Sequence, residues 1–344
     1  MRAFAPHNVS LFAILSISYF VTGKFGAQLA TLNPDATALW LPAGISLAAF
    51  LLKGNRAWPG IFAGAFLINA TTHGPASIPV ALGMALGNTL QAFIGAYLVN
   101  KFAHGTNAFF RARDVLGFLF LGGMLPCTLS ATFGVGLLCR AGFASWDAFW
   151  QVWSLWWVGD VLGAVLLAPF LVLLLGHKHH SLDLPELLEI TALLTGLSIV
   201  CVANFGPINA EWMPKSGFIY LCFPFLVWAA LRFCPLEAAG ATLLVSGFAL
   251  WGSLHGFGLY ANTASAPFSV FTYLAVASLM TMMAAAANVQ QKQTSEEVLG
   301  MYYSLKETKD GEIRELRDTV EALQLELADI AVRGTRAASE GPGQ

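Results

Sequence analysis

The sequence predicts an all-α fold: a polytopic transmembrane bundle of about ten helices followed by a C-terminal cytoplasmic coiled-coil helix. Three observations carry that expectation. Apolar residues make up 56% of the 344 residues and charged residues only 11%, with 26 Phe and 10 Trp, whereas a soluble domain holds roughly 25% charged residues. The charges crowd toward the end: residues 1–288 hold 11 Lys+Arg and 9 Asp+Glu, and residues 289–344 hold 7 and 11. Apolar stretches of about 20 residues, enough to cross a bilayer as a helix, recur along the first part. This composition excludes a soluble enzyme, a disordered chain and a nucleic-acid binder with a basic face. The expected division is an integral membrane domain over 1–288, a signalling helix over 289–333 and a disordered tail over 334–344.

Taken in order, the spans are expected over residues 9–31, 36–52, 57–73, 78–100, 114–138, 148–175, 186–206, 216–232, 236–255 and 267–288. The first reads as a helix, not a signal peptide, because it contains Lys24 and lacks an A-x-A cleavage site. The second and third are short and suit a tight hairpin around Lys53-Gly54-Asn55-Arg56. Trp40-Leu41-Pro42 and Phe223-Pro224 each open a short span that ends at a basic turn, a weak internal echo. A prolyl break near a helix entrance can expose backbone groups to a ligand. Basic residues in the connections set the orientation. With a cytoplasmic N-terminus, Arg2, Lys53, Arg56, Lys101, Arg111, Arg113, Lys178 and Arg232 fall inside, and only Arg140 and Lys215 fall outside. An even number of spans then places the C-terminus in the cytoplasm as well. Gly60-x-x-x-Gly64, Gly83-x-x-x-Gly87, Gly159-x-x-x-Gly163 and Gly252-x-x-x-Gly256 read as close helix contacts within one bundle.

Candidate chemistry is sparse. Asp160 lies in the middle of an apolar span, and an intramembrane carboxylate is a functional hypothesis by default. Lys24 either snorkels outward or pairs with Asp160. A structural ion pair and a ligand or proton role both remain open for these two residues. Trp146, Trp150, Trp153 and Trp157 share one helical face that Asp160 continues. The first two suit an interfacial aromatic belt. Trp153 and Trp157 lie deeper, where indoles ending in a carboxylate suit a cationic or amphipathic small molecule. Gln28, Asn69, Asn88, Gln91 and Asn204 are buried amides, with interhelical hydrogen bonding as the plain reading. The expected ligand-binding set is Asp160, Trp157, Trp153, Lys24, Trp40 and Asn69. His177-Lys178-His179-His180 reads as a basic flank rather than a metal site, and His73 and His255 fall near outer span ends. Five scattered cysteines form no C-x-x-C pair. No catalytic motif, cofactor or metal site is expected.

In the tail, Ile313, Leu316, Val320, Leu323, Leu327 and Ile330 are spaced 3, 4, 3, 4, 3, an a/d seam. Mostly β-branched residues at a and mostly Leu at d favour a parallel two-stranded coil, and Glu312 at g can pair with Arg317 at the following e. These six residues are the expected homodimerisation seam. Val298, Tyr302, Leu305 and Lys309 continue the stripe upstream, and the four-residue step from Lys309 to Ile313 is a stutter beside Gly311.

The motifs Leu39-Trp40-Leu41-Pro42-Ala43-Gly44, Arg56-Ala57-Trp58-Pro59-Gly60 and Trp157-Val158-Gly159-Asp160-Val161-Leu162-Gly163, followed by Pro169, occur in that order. Over roughly residues 8–290 the chain resembles the first type of MASE domain, the membrane-associated sensor modules of bacterial histidine kinases and diguanylate cyclases. The resemblance implies a multi-helix membrane bundle that senses and does not catalyse, feeding a two-component or cyclic di-GMP pathway. The motif residues it covers are Trp40, Pro42, Gly44, Arg56, Trp58, Pro59, Gly60, Trp157, Asp160 and Gly163. No histidine follows His255, so a kinase output is not expected in this chain. The expectation is a bacterial inner-membrane input protein acting on a separate or missing output domain. Its expected partners are the lipid bilayer, a second copy, a cytoplasmic kinase, cyclase or response regulator, and an unidentified small molecule, with no nucleic acid. Transport of a small solute is the alternative, and a scaffold that recruits a partner through the tail is a third.

Overall fold

The computed structural model describes residues 6–27, 30–33, 36–37, 39–73, 78–178, 183–207, 219–257 and 266–339. The chain divides into two compact units, Met1–Gln290 and Gln291–Gln344. In the first unit the helices are α1 (Pro6–Ala27), α2 (Leu41–Lys53), α3 (Trp58–His73), α4 (Ile78–Phe102), α5 (Ala112–Phe118), α6 (Leu125–Ala141), α7 (Phe149–Gly176), α8 (Leu184–Phe205), α9 (Cys222–Arg232) and α10 (Pro235–Leu254). The last helix, α11 (Ala266–Ser339), begins in the first unit and continues through the second. Ala30–Asn33 and Ala36–Thr37 form a small antiparallel ribbon between α1 and α2, a feature that apolar patterning does not predict.

Each of the ten expected spans contains a helix, but the end of the first and the start of the second fall in the ribbon strands, so the helices there end at Ala27 and begin at Leu41. Among the described residues, six helical segments are long and apolar enough to cross a membrane: Val9–Ala27, Ile78–Phe102, Ala112–Ala141, Trp146–Gly176, Leu184–Phe205 and the one that begins at Phe268. The expected spans at α2, α3, α9 and α10 fall outside that group. Geometry explains α2. The 13 residues of α2 extend roughly 20 Å at 1.5 Å per residue, well short of a hydrocarbon core about 30 Å thick.

Helix α2 is instead an interior element. It packs against α1, α4 and, most extensively, α7, and the run from Ser46 to Leu51 is wholly buried. Pro42 sits in its first turn, where a missing N–H costs nothing. It ends at Gly54, whose φ of 56° favours glycine. A second group, α8, α9 and α10, packs together, with α10 also against α7. The expected fifth span is one apolar stretch interrupted by a π-helical segment, Leu119–Met124, between α5 and α6. The small Gly122 and Gly123 in that turn let it lie against Val99 of α4 and Val165 of α7.

The expected small-residue contacts are present inside the bundle. A Cβ at Gly60 or Gly64 would press on Phe12, Leu15, Ser16 and Tyr19 of α1, and Ser16 Oγ donates to the Gly60 carbonyl at 3.0 Å. A Cβ at Gly252 would meet the Phe205 carbonyl of α8. In lipid, such close backbone approach replaces the hydrophobic effect as the source of helix association.

Candidate functional site

The site starts from a backbone seam. Trp40 N–H donates to the Gly159 carbonyl of α7 at 2.9 Å. A Cβ at Gly163 would land on the Trp40 carbonyl, and a Cβ at Gly44 would land on the Gly163 carbonyl. The L-W-x-P-x-G and W-x-G-D-x-x-G motifs are therefore two halves of one contact. Glycines at 159 and 163 bring the entrance of α2 onto α7, one residue before and three residues after Asp160.

Asp160 is 1% exposed. Its polar neighbours are Ser130 on α6, Trp156 one turn back on α7, and Gln91 on α4. Among the described residues, its Oδ2 is buried and has no hydrogen-bond partner. The polar cluster extends further. Gln91 Nε2 donates to Cys127 Sγ at 3.1 Å, Ser130 Oγ donates to Asn88 Oδ1 at 3.0 Å, and Asn88 Nδ2 donates to the Tyr19 hydroxyl at 3.0 Å. The Trp40 side chain also hydrogen-bonds Tyr19. Thus side chains of α4, α6 and α7 surround one carboxyl group, and Ser130 and Asn88 link it to Tyr19 of α1. Ionised carboxylates at the centre of a membrane helix cost about 2.5–3.5 kcal/mol on insertion scales, and no ion pair reaches Asp160 among the described residues.

Of the expected ligand-binding set, Asp160 and Trp40 meet in this cluster. Lys24 does not join them. Its ammonium lies 5.6 Å from the centre of the Phe20 ring, a local cation–π contact on α1, so of the two alternatives for Lys24 the pair with Asp160 is not formed. Asn69 is buried but donates to the Ala65 carbonyl of its own helix at 2.7 Å. Trp146 and Trp150 are 62% and 73% exposed, as an interfacial pair would be. Trp153 and Trp157 stack, with centroids 6.1 Å apart and planes at 7°. Their indole nitrogens donate to α6: Trp153 Nε1 to Thr132 Oγ1 at 3.0 Å, and Trp157 Nε1 to the Met124 carbonyl at 3.1 Å. Met124 closes the π turn. These two indoles brace α6 against α7, and the indole that flanks the carboxyl belongs to Trp156. The sequence signal for Trp156 was its i, i+4 relation to Asp160, which puts both on one face. Tyr19, Ser130 and Cys127 carried no signal of their own. Gln28, Lys215, His179, His180 and the side chain of His73 lie outside the described residues.

The last helix is tied to α7 on both sides of Asp160. Phe271 of α11 lies 6.3 Å from Trp157. Pro169 has no N–H and so leaves the Val165 carbonyl without its helical partner, and Ser278 Oγ of α11 donates to that oxygen at 3.5 Å. Lower down, Asn288 Nδ2 donates to the Leu231 carbonyl at the end of α9 at 2.7 Å. Beside it, Arg232 Nε binds Glu189 of α8 at 2.9 Å.

In the second unit the seam residues Ile313, Leu316, Val320, Leu323, Leu327 and Ile330 are 52–65% exposed. The helix runs unbroken through Gly311, where an added Cβ would meet nothing within 4 Å.

Together these features define an integral membrane helical module with a polar heart and a last helix that continues beyond the bundle. The family model for MASE1 matches residues 10–292, and the chain belongs to the MASE1 family. It is 25% identical over 246 residues to the probable diguanylate cyclase DgcE of Escherichia coli (strain K12), a stretch that covers 68% of this chain and 20% of that protein. The chain therefore matches only about a fifth of this relative's length. No solved structure matches.

Proposed function

We propose that this chain is a bacterial inner-membrane sensory input protein. A stimulus at the Asp160 cluster shifts α7, and α11 carries the shift to a cytoplasmic output. The observation that supports this most is the double tie between α7 and α11, Phe271–Trp157 and Ser278–Val165, on either side of Asp160. The membrane module is the part of the chain that resembles a probable diguanylate cyclase, so a cyclase is the first output to test. In this reading all ten apolar segments lie in the membrane, α2 as a short buried one, both termini face the cytoplasm in keeping with the basic connections, and two copies pair along the 313–330 seam. The chain reads the signal and performs no catalysis of its own.

A switch needs two states that the stimulus binds differently. The test fuses the full chain to a diguanylate cyclase catalytic domain and measures product in cells. Asp160→Ala and Trp157→Ala are expected to fix output at one level while protein abundance in the membrane is kept. Unchanged, still-regulated output in both variants would remove the cluster from the signalling path. Solute accumulation in liposomes that depends on Asp160 would instead favour transport.

A further inference from the structure

One buried acceptor of Asp160 is left without a donor among the described residues. Ser130 has one hydroxyl proton and faces two acceptors, Asn88 Oδ1 at 3.0 Å and the Asp160 carboxyl. Gln91 divides its two amide protons between Cys127 and the carboxyl, and Trp156 also donates to the carboxyl. The Tyr19 oxygen already accepts from Asn88. Oδ2 of Asp160, on a residue 1% exposed, has no donor among the described residues. Lys24 is the basic residue of the helix that carries Tyr19, and its charge is spent on Phe20.

We propose that Asp160, Ser130 and Asn88 form a binding site for a monovalent metal cation, sodium. The oxygens are a carboxylate, a hydroxyl and an amide carbonyl, the hard ligands that suit alkali and alkaline-earth ions rather than softer transition metals. Charge decides between those two classes. A single carboxylate is neutralised by a single positive charge, whereas a divalent ion would leave an uncompensated charge in a low-dielectric interior. The position also gives the ion a consequence. The three ligands come from α4, α6 and α7, so an ion held there draws three helices together, one turn from the Trp157–Phe271 contact with α11. The proposal names the stimulus class for the sensory reading and rests on that reading only for its consequence, because binding is measured on its own.

The experiment is thermal unfolding of the purified full chain in nanodiscs, titrated with sodium chloride against N-methyl-D-glucamine chloride at constant ionic strength. A ligand that binds only the folded state raises the melting temperature with its concentration. The expected result is a sodium-specific rise that grows with concentration in the wild type, vanishes in Asp160→Asn and needs more sodium in Ser130→Ala. Equal melting temperatures in the two salts would overturn the site. So would a sodium rise that persists in Asp160→Asn. If Asp160→Asn does not fold, an unaltered sodium dependence in Ser130→Ala would overturn it. Stronger stabilisation by magnesium than by sodium would contradict the charge argument. Sodium binding without any change in the cyclase fusion would keep the site and discard its signalling role, and the converse result would do the opposite.

Discussion

Gly163 shows what a single residue decides. Its missing side chain is the space that the Trp40 carbonyl occupies, so a methyl group there meets backbone, which cannot rotate away. Overpacking typically costs 1–3 kcal/mol, occasionally more. Gly163→Ala is expected to reach or exceed that range and to lower the melting temperature sharply. Gly136 of α6 is the control, because a Cβ there meets nothing within 4 Å. Gly136→Ala is expected to be neutral or to stabilise by up to about 1 kcal/mol through helix propensity. Ser278→Ala orphans the Val165 carbonyl, at a cost of about 0.6 kcal/mol, the average for interhelical hydrogen bonds in a membrane, and thermal unfolding of the same preparation reads it. At this scale the sequence was informative where backbone spacing mattered. The glycine pairs and the carboxylate stood out from their residue types alone. The partners of Asp160 did not: Tyr19 and Ser130 lie on helices far apart in sequence, and one-dimensional spacing says nothing about which helices meet. The apparent Lys24–Asp160 match followed charge signs, but geometry gave Lys24 to the Phe20 ring one turn away.

At the scale of elements, apolar runs located every expected helix, because a membrane helix must satisfy its backbone internally and so needs an unbroken stretch. They did not reveal which segments are short interior pieces, since apolarity is the same whether a residue faces lipid or protein. Helix α2 is the example. The π turn at Leu119–Met124 was equally silent, although its consequence is concrete: it places the Met124 carbonyl against Trp157. The tail is legible because its heptads are spaced in sequence. Gly311→Ala is expected to leave the helix intact and add about 1 kcal/mol of local helix stability, measured by slower amide exchange around residue 311. If this glycine is a soft joint in transmission, the same substitution alters output in the cyclase fusion. An unchanged response would assign Gly311 no role beyond the helix.

At the scale of the molecule, a polar heart on α7 is tied to a helix that runs on into the second unit. The Asn288 link to the end of α9 is a second tether on that helix. Asn288→Leu is expected to loosen α11 near residue 288, seen as faster amide exchange there, with little change near Asp160. Exchange that rises equally throughout the bundle would mean that Asn288 supports the whole fold and is not a local tether.

Disulfide crosslinking in native membranes tests the central claim most directly. Single cysteines replace Val320 and Leu323 in a background whose five native cysteines, all free thiols, have been substituted. Each variant is compared with and without Asp160→Asn. The account predicts disulfide dimers at both positions and a change in their relative crosslinking rates when Asp160 is altered, because the carboxyl and the seam belong to one mechanical path. Dimers whose rates ignore Asp160 would contradict that path, and an absence of dimers at both positions would mean that the seam faces something other than its own copy.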